Sequence, residues 1–372
     1  MCILSTRKFG PTDAVALATA LIMNTSLREL LASGHRLGVA EASAFGLALA
    51  SNTALRSLCL GDNDFGDEGV RALVEDGLKS NVGLLVLDLE YKSISSGEAL
   101  CSLLQRHLTL TDLRLGRNQL GESAATAISK GLSQNSTLTR LDLSGNLINA
   151  AAAEALGRAL SASHAPSTTT ATVTDDDGGV STELNKSVNV GCSAPPLEDL
   201  NLSRNPLRDE GGAALFRSLS GCASLRSLSL AEAGLGLLSA AALAESLAPS
   251  ISASVSGTVA ASARVDDRGE SRRGPARGLL LLETLDLSKN EFGGDGAEKL
   301  AGALSRGGGP QLESLSMSYN GVGDDGATAI GRAVGKGLKV LDLSGNSLTG
   351  PGIQATLSAP GLRKATLFHN AC

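Results

Sequence analysis

The pattern Leu-x-x-Leu-x-Leu-x-x-Asn-x-Leu recurs along the 372-residue chain at intervals near 28, and nothing else in the sequence constrains its folding as strongly. It is clearest in LRSLCLGDNDF from Leu55, LTRLDLSGNLI from Leu138, LEDLNLSRNPL from Leu197, LETLDLSKNEF from Leu282 and LKVLDLSGNSL from Leu338. Looser copies start at Leu27, Leu84, Leu110, Leu225, Leu312 and Leu362, which makes eleven. Successive starts lie 28, 29, 26, 28, 59, 28, 57, 30, 26 and 24 residues apart, so the two long intervals each hold one repeat plus an insertion. Behind the motif runs a segment such as GDEGVRALVEDGLKSN or GGDGAEKLAGALSRG, whose apolar residues recur at three and four, the period of an amphipathic helix. Each unit therefore reads as strand, tight turn, helix and return loop. No such unit can bury its apolar face alone, so leucines at positions one, four and six must share a core with neighbouring repeats.

The repeat also decides how the first residues are read. Arg7 and Lys8 ahead of the apolar stretch 14–23 have the outline of a secretory signal. Yet AVALATALIMNTSL (14–27) aligns at 28 residues over ASAFGLALASNTAL (42–55), pairing Ala14 with Ala42, Leu21 with Leu49 and Asn24 with Asn52. The stretch reads as a repeat helix. Cysteines at 2, 59, 101, 192, 222 and 372 show no C-x-x-C, so neither a zinc ribbon nor a disulfide framework is visible and a reducing, cytoplasmic location is expected. With 32 basic against 38 acidic residues and a net charge of −6, neither nucleic acid nor a membrane surface is an expected partner. Aromatics at 2% leave few platforms for stacking bases or flat cofactors. No apolar run reaches the roughly 18 residues of a membrane span.

The motif and its period resemble the leucine-rich repeat family, and the helix opening G-D-x-G-A looks like the ribonuclease-inhibitor type, similar to the repeats of NOD-like receptors and Ran GTPase-activating proteins. The resemblance implies an α/β fold, a leucine-rich-repeat solenoid or horseshoe with a parallel sheet on the concave face and helices on the convex face. It makes residues 1–372 a single array of about eleven repeats. It also implies a structural role for the position-nine asparagine in the turn after the strand, its amide bonding backbone groups that the curved chain would leave unpaired. Asn63, Asn118, Asn146, Asn205, Asn290, Asn320, Asn346 and Asn370 hold that place; His35, Lys92 and Ala233 replace it, and their turns are expected to be the weakest. Two segments, 166–196 and 253–281, are rich in Ser, Thr, Ala, Gly and Asp without helix or strand period and are expected to be disordered insertions. Neither terminus carries a polar capping unit, which points to a truncated chain or a partner that covers the ends.

Candidate chemistry is sparse. GRAVGKG at 331–337 approaches a phosphate loop, but Gly331 and Gly335 enclose three residues where four are needed and Lys336 is followed by Gly. DNDFGDEG from Asp62 resembles a calcium loop, but its counterparts GGDGAEKL and GDDGATAI mark it as a helix start with acids at the positive dipole end. His35, His107, His164 and His369 have no nucleophile or carboxylate at a motif spacing. Arg268, Arg272, Arg273 and Arg277 make a basic stretch in the second insertion that reads as solvated linker. No cofactor, metal or catalytic residue is expected, and the chain reads as a non-enzyme.

The informative surface is the concave one, where equal motif positions of adjacent strands form ladders. Position five carries Asp88, Asp142, Asp286 and Asp342, read mainly as scaffold. Departures from that consensus say more. Leu31 and Cys59 at position five, Leu85 and Val86 at positions two and three, and Tyr91 at position eight place apolar groups in the N-terminal half, with Tyr319 and Phe368 as further anchors. Phe65 and Phe292 at position eleven read as core. The expected function is an intracellular scaffold that binds a protein partner on its concave face. The alternative is a GTPase-activating protein acting on a Ran-type small GTPase.

Overall fold

The computed structural model describes residues 1–3, 9–91, 93–161, 196–247, 279, 281–306, 312–334 and 337–370. Motif positions three to five become strands β1 Glu29–Leu31, β2 Ser57–Cys59, β3 Val86–Asp88, β4 Asp112–Arg114, β5 Arg140–Asp142, β6 Asp199–Asn201, β7 Ser227–Ser229, β8 Thr284–Asp286, β9 Ser314–Ser316, β10 Val340–Asp342 and β11 Lys364–Thr366. The amphipathic segments become α1 Pro11–Met23, α2 Val39–Ser51, α3 Gly66–Asp76, α4 Glu98–Arg106, α5 Glu122–Leu132, α6 Ala150–Ser161, α7 Arg208–Ser218, α8 Leu237–Ser246, α9 Gly293–Leu304, α10 Gly323–Ala333 and α11 Gly350–Leu357. The strands form one parallel sheet in chain order, β1 to β11, with consecutive helices packed side by side behind it. Strands stack about 4.8 Å apart whereas packed helices need about 8 to 10 Å, so the array curves with the sheet on the inside.

Register follows the motif. Cys59, Asp88, Arg114, Asp142 and Asn201 are partners in turn across β2 to β6. The ladder also continues across both long intervals, with Asp142 opposite Asn201 and Ser229 opposite Asp286. The expectations for the two insertions fall almost wholly outside the described residues, as do those for Lys92, His164, Lys336 and the Arg268, Arg272, Arg273 and Arg277 stretch. The alternating leucines supply one continuous core: Leu55, Leu58 and Leu60, like Leu138, Leu141 and Leu143, are at most 2% exposed. Phe45, Phe65, Phe216 and Phe292 are buried between sheet and helices. The apolar stretch 14–23 of the signal-like outline lies in α1, packed on α2; Arg7 and Lys8 fall outside the described residues. Among the described residues no helix is long and apolar enough to cross a membrane.

Two ladders of asparagine hold the repeats in step. Each position-nine asparagine donates from Nδ2 to the position-six carbonyl of the preceding repeat and accepts a backbone amide of that repeat on Oδ1. Asn146 donates to Leu115 O at 2.9 Å and to its own Leu143 O at 2.9 Å, and accepts Leu120 N at 3.0 Å. The same pattern holds for Asn63, Asn118, Asn205, Asn290, Asn320, Asn346 and Asn370. At Ala233, which has no acceptor to offer, Leu207 N in the turn before bonds Asn205 O instead and Arg208 adopts φ 60°. The second ladder lies three residues ahead of the motif. Asn52 and Asn81 each donate to two carbonyls of the preceding repeat and accept the amides that lead into their own strand; Asn135 donates to one. His107 stands in this second ladder, accepting Leu110 N on Nδ1 at 3.2 Å, while its buried Nε2 has no partner among the described residues.

Candidate interaction surface

Position four of each strand points into the core, so positions three and five face outward on the sheet. The acids at position five have a local use. Asp88, Asp142, Asp286 and Asp342 each accept the amide two residues on, at 2.8 to 3.0 Å, and Asn201 does the same for Ser203. One carboxylate oxygen thus closes the strand end, and the other faces along the sheet. Cys59 Sγ donates to Asp88 Oδ2 at 3.1 Å, and Asn201 Nδ2 to Asp142 Oδ2 at 3.2 Å. Burial, with the Asp88 contact, pushes the Cys59 thiol up, which opposes thiolate chemistry there.

Position eight has a property that its residue types hide. In all eleven described copies it is left-handed: Gly34, Asp62, Tyr91, Arg117, Gly145, Arg204, Glu232, Lys289, Tyr319, Gly345 and His369 have φ between 54° and 77°. This turns each side chain onto the margin where the strands end. There Arg117 lies over the Tyr91 ring at 4.9 Å, Glu232 bridges Arg204 at 3.1 Å and Lys289 at 2.5 Å, and the Tyr319 and His369 rings sit 6.4 Å apart.

The candidate contact residues do not form one patch. Leu31 and Cys59 are half-buried at the ends of β1 and β2, the first two strands of the sheet, with Asp88 next in the same ladder. Leu85 and Val86 lie where β3 begins, but Tyr91 lies on the opposite margin, separated by six residues of mostly extended chain, about 20 Å. Tyr319 shares the Tyr91 margin, and Phe368, 72% exposed at position seven, follows β11. Motif spacing alone gave all of them one face; it did not separate the two margins. Sequence reading also missed Val82 and Leu108, 59% and 70% exposed in the return loops ahead of β3 and β4. Each lies two residues ahead of its motif, where Thr25, Thr53 and Ser136 are polar, and that contrast was readable.

Two shallow hollows lie on the sheet. One of about 500 Å³ is lined by Val86, Thr111, Asp112, Thr139, Arg140, Glu198, Asp199, Arg226 and Ser227. The other, about 330 Å³, shares Asp112, Arg140, Asp199 and Ser227 and reaches Arg114, Asp142 and Asn201. Arg114 is paired with Asp112 at 3.0 Å and Arg226 with Glu283. Burial, followed by the charges of Asp88 and Asp142, holds the Glu90 carboxyl above its ordinary range despite Arg114 and Arg117. Among the described residues no three His, Cys, Asp or Glu side chains converge as metal ligands. Gly331 ends in α10 rather than a phosphate loop, and Asp62 precedes α3.

One open sheet of three-residue parallel strands, each preceded by a helix, defines a solenoid repeat protein. The chain carries leucine-rich repeats: the family described as Leucine Rich repeat matches it at six of them, residues 51–74, 134–157, 193–216, 280–301, 310–331 and 338–355. No curated protein matches the chain by sequence. Among solved structures, yeast Rad7 in complex with Elc1 aligns at 16% identity over 95% of this chain and 71% of that one, TM-score 0.50, a likeness of fold. An internalin, inlF, from Listeria monocytogenes aligns at 15% identity over 98% and 97%, TM-score 0.36. The Caenorhabditis elegans tropomodulin C-terminal domain aligns at 19% identity over 36% of this chain and 83% of that one, TM-score 0.32.

Proposed function

We propose that this chain is an intracellular scaffold that docks another protein on the concave face of its sheet. Leucine-rich repeats support a protein-interaction role in general. The observation that carries the finer reading is the face itself: an eleven-strand ladder with outward polar and charged side chains at positions three and five and two open, shallow hollows. Such a surface suits summed contacts across repeats better than enclosure of a small molecule. The Rad7 structure, solved as a complex with Elc1, is a repeat array with a protein partner. The intracellular part of the proposal is supported by free thiols at Cys59, Cys101 and Cys222. The ribonuclease-inhibitor subtype and the GTPase-activator alternative rest on resemblance alone.

The test is affinity capture from cell extract with three baits: the wild-type chain, Ser227→Trp, which fills the sheet hollows without changing charge, and Arg158→Glu on α6. Loss of the main captured protein with Ser227→Trp, and retention with Arg158→Glu, is the expected result. The reverse pattern would place docking on the helices.

A further inference from the structure

Position two of the motif is charged or threonine in ten of the eleven repeats and leucine only at Leu85, 38% exposed. Where it is arginine in the first two repeats it stitches the array: Arg28 Nη1 donates to Ala54 O at 2.9 Å and Arg56 Nη1 to Gly83 O at 2.6 Å, both in the next return loop. Leu85 cannot do this. The return loop beside it carries Leu108, and the register of Val86 with Asp112 sets Leu108 beside Val82. Two adjacent repeats thus expose three large apolar side chains on one margin, where nearby repeats place arginine and threonine. Grouped exposure of this kind marks contact with another molecule.

The ground next to it is acidic. Across β3 to β6 the face carries Asp88, Asp142, Glu198 and Asp199 beside the Asp112–Arg114 pair, against Arg140, while Arg226 at the far wall of the larger hollow is paired with Glu283. Val86 joins the two features, because it lines the larger hollow at the foot of the apolar margin. A cationic side chain entering there offsets the excess, and an anionic one adds to it. We infer that the margin formed by Val82, Leu85 and Leu108 anchors an extended segment of a partner protein that carries an apolar side chain next to a lysine or arginine, the cation seated over Asp199. This rests on the docking reading above and narrows it to one place and one chemistry.

The experiment titrates three short fluorescent peptides against the full chain by anisotropy: alternating leucine and lysine, leucine and glutamate, and serine and lysine. Leucine–lysine should bind at least ~10-fold tighter than either counterpart, and Leu108→Asp and Asp199→Lys should each cost ~10-fold or more. Leu47→Asp, on the outer face of α2, should change nothing. All three variants lie on the surface, and thermal melts alongside verify that they fold. Equal binding of leucine–glutamate, no binding of leucine–lysine, or binding unmoved by Leu108→Asp and Asp199→Lys would each overturn the inference. A captured protein lost on Ser227→Trp but kept on Leu108→Asp would remove this anchor and leave the docking face intact.

Discussion

Asn146 shows how much one buried amide does in this array. Its removal leaves Leu120 N unpaired and takes one of two amide donors from each of Leu115 O and Leu143 O, which keep Asn118 and Asn205, so Asn146→Ala should cost about 1 to 3 kcal/mol in urea melts. Ala233→Asn should be neutral or stabilising, because it restores an acceptor to the turn before it. The opposite order would sink the role given to position nine. Backbone handedness gives a second test: Gly145 sits at φ 64°, so Gly145→Val should lose about 1 to 2 kcal/mol, while Asp62→Gly at φ 54° should not destabilise. A harmless Gly145→Val would contradict the left-handed turn. His107 gives a third. Burial holds its pKa down at about 4, below the ordinary 6.5, so the folded state keeps the ring neutral. Stability is complete above pH 6.5 and falls as pH drops towards 4, by up to about 3 kcal/mol. His107→Asn should remove that slope and return an amide donor like that of Asn81 or Asn135. Parallel slopes for both proteins between pH 4 and 6.5 would refute it.

Between elements, Asp67, Asp209 and Asp324 at helix starts bond the start of the next helix, whereas Asp13 and Glu41 cap their own. Asp209, in the first turn of α7, accepts Gly236 N at 2.8 Å, Leu238 N at 3.0 Å and Ser239 N at 2.7 Å at the start of α8. Asp67 likewise bonds Ser95 and Ser96 ahead of α4, and Asp324 bonds Thr349 ahead of α11. Burial opposes ionisation of Asp209, but the bonds from Ser239, Leu238 and Gly236 outweigh it and lower the pKa. Asp209→Ala should therefore cost about 1 to 2 kcal/mol and increase hydrogen exchange at the start of α8 rather than of α7. Faster exchange confined to α7 would show that the cap is internal. The strand, turn and helix of each unit were legible because leucine spacing and helical period are local. What a side chain does for the next repeat was not: Asp209 reads as a dipole acid in its own segment, and its partners are 27 to 30 residues away.

Across the whole molecule the eleven strands keep equal motif positions side by side, even over the intervals of 59 and 57 residues. That regularity made the ladders legible and concealed the margins. Leu85 and Tyr91 share a repeat and a face but border opposite edges, and Val82 and Leu108 are neighbours only through register. The GTPase alternative separates from docking on rate, since transition-state assistance to phosphate release can reach ~10³-fold or more. The protein should leave phosphate release by a GTP-loaded Ran-type GTPase unchanged; a large increase at sub-stoichiometric amounts would make it an activator. The most direct measurement of the docking claim is carboxyl footprinting by mass spectrometry on the chain with and without its captured partner. Protection should fall on Asp142, Glu198 and Asp199 of the sheet face, with Glu98, Glu122 and Glu298 of the helices labelled as before. Protection of those helix glutamates, with Asp142, Glu198 and Asp199 unchanged, would contradict it.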